Sequence, residues 1–215
     1  MSDHKLLHQG QPLLKAGTAL EEASAAMILV HGRGASAESI LTLRDELNHD
    51  GFAYLAPQAA NSTWYPYSFL APFENNEPWL SSALSTLENT LETIQKAGIP
   101  ASRTLILGFS QGACLAMEFI ARNPQRFGGG VALSGGLIGP PGTDFSYPGS
   151  LEDMPIFIGC SDIDPHIPLE RVQETTKALK GLGADVTERI YPGMGHTVNL
   201  DEIDHLRKMM DQLTN

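Results

Sequence analysis

The sequence is poor in cysteine and in long hydrophobic runs. Its two cysteines, Cys114 in a predicted helix and Cys160 at the end of a predicted strand, are expected to be small buried residues, neither a disulfide nor a metal pair. No apolar run approaches the ~20 residues that a membrane-spanning helix needs. Residues 1–17 are polar and mixed, unlike a signal peptide, so a cytoplasmic protein is expected.

Positive charge is also scarce. The chain has 14 Lys and Arg against 25 Asp and Glu, which gives a formal net charge of −11. This charge argues against nucleic acid and against anionic membrane surfaces as partners. Hydrophobic residues make up 42% and charged residues 18% of the 215 residues, as in globular proteins with a full core. We therefore predict a single domain over residues 1–215.

What the sequence does contain is a motif for a reactive serine. Residues 104–107 are β-branched and aliphatic, as in a buried central strand, and they lead into Gly-Phe-Ser-Gln-Gly, which fits the pattern G-x-S-x-G. The small and apolar residues that follow predict a helix. A strand, a sharp turn and a helix in this order predict a nucleophile elbow that exposes the hydroxyl of Ser110. The alternative is an ordinary glycine-rich turn that contains a serine.

Strands and helices alternate along the whole chain. Besides the central strand, strands are predicted at 25–30, 52–57, 128–134, 155–160 and 185–191, with helices between them. An edge hairpin from Lys5–His8 and Pro12–Lys15 is a further, weaker prediction. The alternation predicts right-handed βαβ units and a mostly parallel sheet covered on both faces. The predicted fold class is therefore α/β.

Residues 58–77 lack a clear element and are rich in aromatic side chains. A long irregular segment in a compact domain is often functional. One interpretation is an aromatic wall over a substrate pocket, with Trp64, Tyr65 and Phe69 as candidate substrate-binding residues. The other is a compact surface loop that packs these side chains into a small core of its own. The sequence favours neither interpretation.

A serine nucleophile needs a base to take its proton and an acid to orient that base. In an α/β-hydrolase the acid and then the histidine follow the serine, at the carboxyl ends of strands. The loop after strand 155–160 offers Asp162 and Asp164, and we choose Asp164 because it lies deeper in the loop and precedes Pro165. Of the seven histidines, His196 is the one in the loop after the last strand.

An oxyanion hole is predicted from two backbone N–H groups. One belongs to Gln111, the residue after the serine, and the other to Arg33 in the stretch His31-Gly32-Arg33-Gly34. The glycines of this stretch let the backbone approach a substrate. The alternative is a plain strand-to-helix turn, which Ser110 makes the weaker interpretation.

Four motifs together resemble the phospholipase/carboxylesterase family, whose best-known members are acyl-protein thioesterases. In chain order they are His31-Gly32-x-Gly34, Gly-Phe-Ser-Gln-Gly-Ala, Asp162-x-Asp164-Pro165-x-x-Pro168 and Tyr191-x-Gly193-Met194-x-His196. This is also their order in the family. The resemblance implies an α/β-hydrolase fold without a large lid, and a triad of Ser110, Asp164 and His196. It also implies hydrolysis of esters or thioesters without cofactor or metal, and often a homodimer. Similar eukaryotic thioesterases carry leucine where Arg33 stands.

The sequence thus predicts a serine carboxylesterase that acts on small-molecule esters with short or medium acyl groups. A thioesterase or a lysophospholipase is the alternative among hydrolases. Dienelactone hydrolases share the fold but use a cysteine nucleophile, and Ser110 argues against them. From another class, the alternative is a binding module with an idle hydrolase fold, which would tolerate Ser110→Ala without loss of ligand affinity.

Overall fold

The computed structural model describes residues 7–47 and 49–214, and a seven-stranded sheet runs through them. In chain order the strands are β1 (Leu13–Gly17), β2 (Ala25–Val30), β3 (Phe52–Pro57), β4 (Thr104–Phe109), β5 (Gly129–Leu133), β6 (Pro155–Ser161) and β7 (Asp185–Tyr191). Their order across the sheet is β1-β3-β2-β4-β5-β6-β7. β1 is antiparallel to β3, and every other neighbouring pair is parallel.

Helices cover both faces of the sheet, which confirms the predicted α/β class. In chain order they are α1 (Ala37–Leu41), α2 (Leu43–Leu47), α3 (Phe73–Asn76), α4 (Trp79–Lys96), α5 (Gln111–Arg122), α6 (Leu169–Gly181) and α7 (Leu200–Thr214). The apolar residues of α4, α5 and α6 pack on one face, and those of α1, α2 and α7 on the other. Within the described ranges, no helix is both long and apolar enough to cross a membrane.

The inner strands are buried on both faces. All six residues of β2 and all six of β3 are buried, which is why they form unbroken hydrophobic runs in the sequence. Cys114 and Cys160 belong to the same core and are buried free thiols, as predicted. Burial raises the pKa of each thiol to about 12, so neither is a reactive thiolate at neutral pH.

Of the predicted edge hairpin, the segment Pro12–Lys15 corresponds to β1, whereas Lys5–His8 lies partly outside the described residues and is not a strand at residues 7–8. β1 pairs with β3. His8 is buried and is not part of a strand. Its backbone N–H donates to Ser82 Oγ at 3.0 Å, and its side chain is buried among residues far along the chain.

The helical segment between β2 and β3 is divided into α1 and α2. Ser36 caps α1 with a capping box in which Ser36 and Ser39 exchange hydrogen bonds. At Thr42 the hydroxyl donates to Ser39 O at 2.8 Å, and α2 begins at the next residue. A threonine hydroxyl that bonds back to the preceding turn competes with helix continuation.

Two glycines allow β4 to turn directly into α5. A methyl group on Gly108 would lie 2.1 Å from Gly112 O, and one on Gly112 would lie 2.1 Å from Val30 O. Both contacts are with backbone atoms, which have no alternative rotamer. The strand, the turn and the helix can therefore approach this closely only if both positions lack a side chain.

Gly112→Ala is expected to destabilise the fold by about 3 kcal/mol or more, because the new methyl group would collide with the backbone of β2. Urea unfolding measures the change. Gly181→Ala is the matched control, since a methyl group there meets nothing within 4 Å at the end of α6. An equal loss of stability in both variants would contradict this explanation.

Candidate active site

Ser110 lies in the turn between β4 and α5, at the centre of the sheet. Its backbone has φ 55° and ψ −121°, a strained conformation for a residue with a side chain. The Ser110 side chain does not cap α5. Instead its Oγ lies 2.8 Å from Nε2 of His196. The turn thus directs the hydroxyl away from the helix and toward the imidazole.

His196 is placed by the loop that follows β7. Its Nδ1 lies 2.7 Å from Oδ2 of Asp164, so Nδ1–H donates to the carboxylate and Nε2 is left to accept from Ser110. Two rings hold the imidazole in place: Phe109 at 4.9 Å and His166 at 4.8 Å between ring centroids. The tautomer and the ring orientation are therefore both defined by neighbours.

Asp164 follows β6, and its side chain has 0% exposure. Oδ1 accepts from the backbone N–H groups of His166 at 2.8 Å and Ile167 at 3.1 Å, and Oδ2 accepts from His196. Burial acts to raise the pKa of Asp164, but the hydrogen bond from His196 and those from the backbone together hold this pKa below its usual value. The carboxyl group is therefore ionised at neutral pH.

The second aspartate of the loop has a different contact. Asp162 is exposed, and its Oδ1 accepts from the backbone N–H of Gly193 at 2.8 Å. This bond ties the loop after β6 to the loop that carries His196. Of the two candidates, the structure thus brings Asp164 to the imidazole and leaves Asp162 at the loop surface.

The loop after β2 lies against the serine. A methyl group on Gly32 would be 3.3 Å from Ser110 Cβ, so the backbone at residues 32–33 runs beside the nucleophile. The backbone N–H groups of Arg33 and Gln111 have no hydrogen-bond acceptor among the described residues. Backbone N–H groups that are free to donate are what an oxyanion hole requires.

A buried histidine holds this loop. His31 has 0% exposure, its Nδ1–H donates to Gly32 O at 2.8 Å, and its Nε2 accepts from the backbone N–H of Ala59 at 3.1 Å. Burial lowers the pKa of His31, so the ring is neutral at neutral pH. The neutral tautomer that these two bonds require is thus the stable one.

The aromatic segment is partly core and partly cavity wall. Trp64 has 0% exposure, its indole N–H donates to His31 O at 2.8 Å, and it is not among the residues that line the cavity beside Ser110. The prediction of Trp64 as a substrate-binding residue is therefore wrong, because the indole packs beneath the His31 loop. Tyr65 and Phe69 do line that cavity, as the first interpretation requires.

The cavity has a volume of about 500 Å³ and opens to solvent beside Ser110 and His196. Tyr65, Phe69, Phe109, Cys114 and Ile167 give it a mainly apolar wall. Tyr65 and Phe69 are 1% and 7% exposed, so both are fixed by packing as well as lining the space. A nucleophile at the edge of an apolar cavity is the usual arrangement for a small-molecule site.

A family model described as Phospholipase/Carboxylesterase matches residues 17–214. The chain belongs to this family. A phospholipase/carboxylesterase from Dyadobacter fermentans, known from a crystal structure, is 39% identical with a TM-score of 0.90, covering 96% of this chain and 99% of that one. Acyl-protein thioesterase 1 of Candida albicans is 28% identical over 216 residues, covering 89% of this chain and 93% of its own. Zea mays acyl-protein thioesterase 2 shares the fold, with a TM-score of 0.72 at 18% identity over 95% of this chain and 100% of that one.

As a member of the phospholipase/carboxylesterase family, the protein is a serine hydrolase that acts on ester bonds. Within the described ranges, no group of three or more His, Cys, Asp or Glu residues is arranged to hold a metal ion. The side chains that the structure brings together at the site are a hydroxyl, an imidazole and a carboxylate.

Several supporting side chains of this phospholipase/carboxylesterase site were missed in the sequence. The Gln111 side chain donates to Tyr65 O at 2.8 Å and accepts from the Trp64 backbone N–H at 2.9 Å, which binds the aromatic segment to α5. His8 donates to Trp64 O at 3.0 Å from the other side. These partners are separated by tens of residues, so no local pattern relates them.

The far end of the His196 loop is fixed by a capping box at the start of α7. Glu202 N–H donates to Asn199 Oδ1 at 3.0 Å, and Asn199 N–H donates to Glu202 Oε2 at 2.9 Å. The other carboxylate oxygen, Glu202 Oε1, is buried and has no partner among the described residues. Burial raises the pKa of Glu202 to about 7, above the usual 4.5.

Glu202→Gln is expected to change how the stability of this hydrolase depends on pH. Between pH 4.5 and 7 the folded protein binds a proton at Glu202 more tightly than the unfolded chain, so stability falls as the pH rises through this window. Glutamine keeps the acceptor for Asn199 but does not titrate. The difference in unfolding free energy, variant minus wild type, should therefore rise by about 3 kcal/mol from pH 4 to pH 8.

Urea unfolding at the two pH values measures this gain. Glu170→Gln is the matched control, since Glu170 is also an acid in the first helical turn but is exposed. A pH dependence that is the same in Glu202→Gln and in the wild type would show that this carboxyl group does not titrate in the window.

Proposed function

We propose that this protein is a serine carboxylesterase that hydrolyses short- to medium-chain carboxylic esters through an acyl-enzyme intermediate. One observation carries the proposal. An unbroken chain of hydrogen bonds runs from Ser110 Oγ through His196 to the buried carboxylate of Asp164, and it opens into the cavity. This is the arrangement that converts a serine hydroxyl into a nucleophile.

In the proposed mechanism, Ser110 Oγ attacks the ester carbonyl carbon while its proton passes to Nε2 of His196. Asp164 stays ionised and stabilises the imidazolium that forms. The backbone N–H groups of Arg33 and Gln111 bind the negative oxygen of the tetrahedral intermediate. The intermediate collapses as the C–O bond to the alcohol breaks, and the alcohol leaves with the proton from His196.

The second half repeats these steps with water. His196 takes a proton from a water molecule, whose oxygen attacks the acyl carbon bound to Ser110. The tetrahedral intermediate is held by the same two N–H groups, and its collapse returns the proton to Ser110 Oγ and releases the carboxylic acid. Asp164 again only orients and stabilises His196.

The cavity wall supports the proposed limit on the size of the acyl group. Tyr65 and Phe69 are buried against the core, and the guanidinium of Arg171 lies 5.9 Å from the Phe69 ring and backs it. A long acyl chain would have to displace these packed rings. In a p-nitrophenyl ester series from acetate to palmitate, kcat/KM is expected to be highest at about eight acyl carbons or fewer, and at least about tenfold lower at palmitate.

A rising kcat/KM through palmitate would contradict this size limit. It would favour a lysophospholipase or a long-chain acyl thioesterase. The thioesterase is the second candidate because the relatives named above include acyl-protein thioesterases. A butyryl ester and a butyryl thioester whose leaving groups have the same carbon skeleton distinguish the two. We expect kcat/KM for the ester to be no more than about tenfold below that for the thioester, and a larger preference for the thioester would favour the thioesterase.

The family resemblance also predicts a homodimer, and a cytoplasmic location is a separate prediction from the sequence. Both stay predictions. Light scattering coupled to size-exclusion chromatography, at two protein concentrations, measures the oligomeric state directly. A mass near 23.2 kDa, that of one chain, would contradict the dimer.

A further inference from the structure

Among the described residues, the wall of the cavity beside Ser110 lacks the acidic side chains in which the chain as a whole is rich. The chain carries a net charge of −11, with 25 acidic residues. Yet in the described part of the chain, the cavity wall contains no aspartate or glutamate, and it does contain Arg33, His166 and His196. A second cavity of about 480 Å³, which is not at the serine, is lined by Asp144 and Glu174 as well as Lys177. The absence of acids is therefore a property of this cavity wall, while the ionised Asp164 is hydrogen-bonded to His196 outside the lining.

The Arg33 guanidinium is held in place but keeps its charge available. Nη1 donates to Pro66 O at 2.8 Å and Nη2 donates to Tyr67 O at 2.6 Å, and the group lies 5.9 Å from the Tyr65 ring centroid. A guanidinium has five N–H donors, so these two bonds leave three unused. Arg33 is exposed and has no acidic partner within 4.0 Å among the described residues.

This placement reduces the cost of binding an anion. A free arginine side chain loses rotamer entropy when it is immobilised. Two backbone carbonyls have already immobilised Arg33 at the cavity wall. A carboxylate that reaches it gains charge-assisted hydrogen bonds, and most of the ordering cost has been met in the free protein.

His166 adds a second donor at the cavity. It is exposed, lines the cavity, and stands edge-on to His196 at 4.8 Å. Its ring nitrogens have no hydrogen-bond partner in the part of the chain that the structure describes. One ring nitrogen carries an N–H at any pH, so the ring can donate to an anion beside the reacting ester.

We propose that the substrates of this site are esters that carry a carboxylate, which Arg33 binds with help from His166. The inference rests on the proposed esterase function and names the substrate class of the same site. The carboxylate belongs either to the acyl part or to the alcohol part of the ester. In both cases a negatively charged pair of oxygens meets a fixed guanidinium in the wall of the cavity that also contains Ser110.

The test compares two matched pairs of substrates by pH-stat titration of the wild-type protein at pH 8. Monoethyl adipate against ethyl hexanoate places the charge on the acyl side, and 4-acetoxybutanoate against butyl acetate places it on the alcohol side. In at least one pair, kcat/KM is expected to be about tenfold or more higher for the charged member. The pair that shows the preference identifies the side, and 0.5 M NaCl should reduce the preference by screening.

The variants separate charge recognition from loop support. Arg33→Met should lower the ratio of charged to neutral kcat/KM by about tenfold, and Arg33→Lys should lower it less. Lys177→Met removes one positive charge at the second cavity and should leave the ratio unchanged. If Arg33→Met lowers both members equally, Arg33 only supports the loop and the proposal is wrong.

Two further outcomes are distinct from each other. Turnover of p-nitrophenyl acetate that depends on Ser110, together with a ratio of one or less in both pairs, overturns the carboxylate proposal and leaves the esterase function standing. No Ser110-dependent turnover of any of the five esters overturns both.

Discussion

Ser110→Ala is expected to remove nearly all ester hydrolysis, with a fall in kcat of about 10⁶-fold, as for removal of a serine nucleophile elsewhere. The reason is geometric. Ser110 Oγ is the atom that lies 2.8 Å from Nε2 of His196, and alanine leaves the imidazole with no hydroxyl to deprotonate. The measurement is kcat for p-nitrophenyl butyrate under saturating substrate, with the thermal midpoint recorded in parallel.

Ser134→Ala is the matched control for this substitution. Ser134 also follows a parallel strand, β5, and also has a positive φ of 54°, but its Oγ is buried without a partner among the described residues. Loss of that hydroxyl should leave kcat within about threefold of the wild type. The thermal midpoint of Ser110→Ala should also be close to the wild type, because the Ser110 side chain makes no capping bond.

Residual turnover in Ser110→Ala within about tenfold of the wild type would assign the nucleophile elsewhere. Another pair of results would favour the alternative that the protein is a binding module without catalytic activity. In that case the wild-type protein would show no turnover, and the affinity of a bound ester would be the same with serine or alanine at position 110. The hydrogen-bonded chain from Ser110 to Asp164 argues against this outcome.

The sequence predicted the three side chains of the site because each stands at the end of a strand. β4, β6 and β7 are parallel, so their carboxyl ends lie at one edge of the sheet, and the loops that follow them carry Ser110, Asp164 and His196. Parallel strands that are buried on both faces form hydrophobic runs that can be recognised without a structure. Given these runs, chain order alone brings the three residues together.

The supporting contacts could not be predicted in this way. Trp64 is fixed by His31 and Gln111, which are 33 and 47 residues away along the chain. An aromatic residue in an irregular segment has the same local sequence whether it lines a cavity or fills a core. The choice depends on packing between distant elements, which is why Tyr65 lines the cavity and its neighbour Trp64 does not.

The side chain of Arg33 illustrates the same limit at the surface. Its backbone position followed from the glycines on either side of it. The direction of its guanidinium depends on the carbonyl groups of Pro66 and Tyr67, which belong to a segment with no predicted element. A sequence shows that an arginine is near a serine, but only the structure shows that no carboxylate stands beside it in the described ranges.

Asp164→Asn is the second substitution with a large expected effect, a fall in kcat of about 10⁴-fold. The amide oxygen can still accept from the backbone N–H groups of His166 and Ile167. The amide NH₂ group would then face Nδ1 of His196 and force that nitrogen to accept a hydrogen bond. The ring proton would move to Nε2, which could no longer take a proton from Ser110.

Asp162→Asn is the matched control in the same loop. Its amide oxygen can accept from Gly193 N–H as the carboxylate does, so kcat should stay within about threefold of the wild type. The comparison uses p-nitrophenyl butyrate at pH 7, where Asp164 is ionised because its pKa is held below the usual value. Equal damage from the two substitutions would mean that the acid has been assigned to the wrong aspartate. A large loss from Asp164→Asn alone would establish Asp164 as the acid that acts on His196.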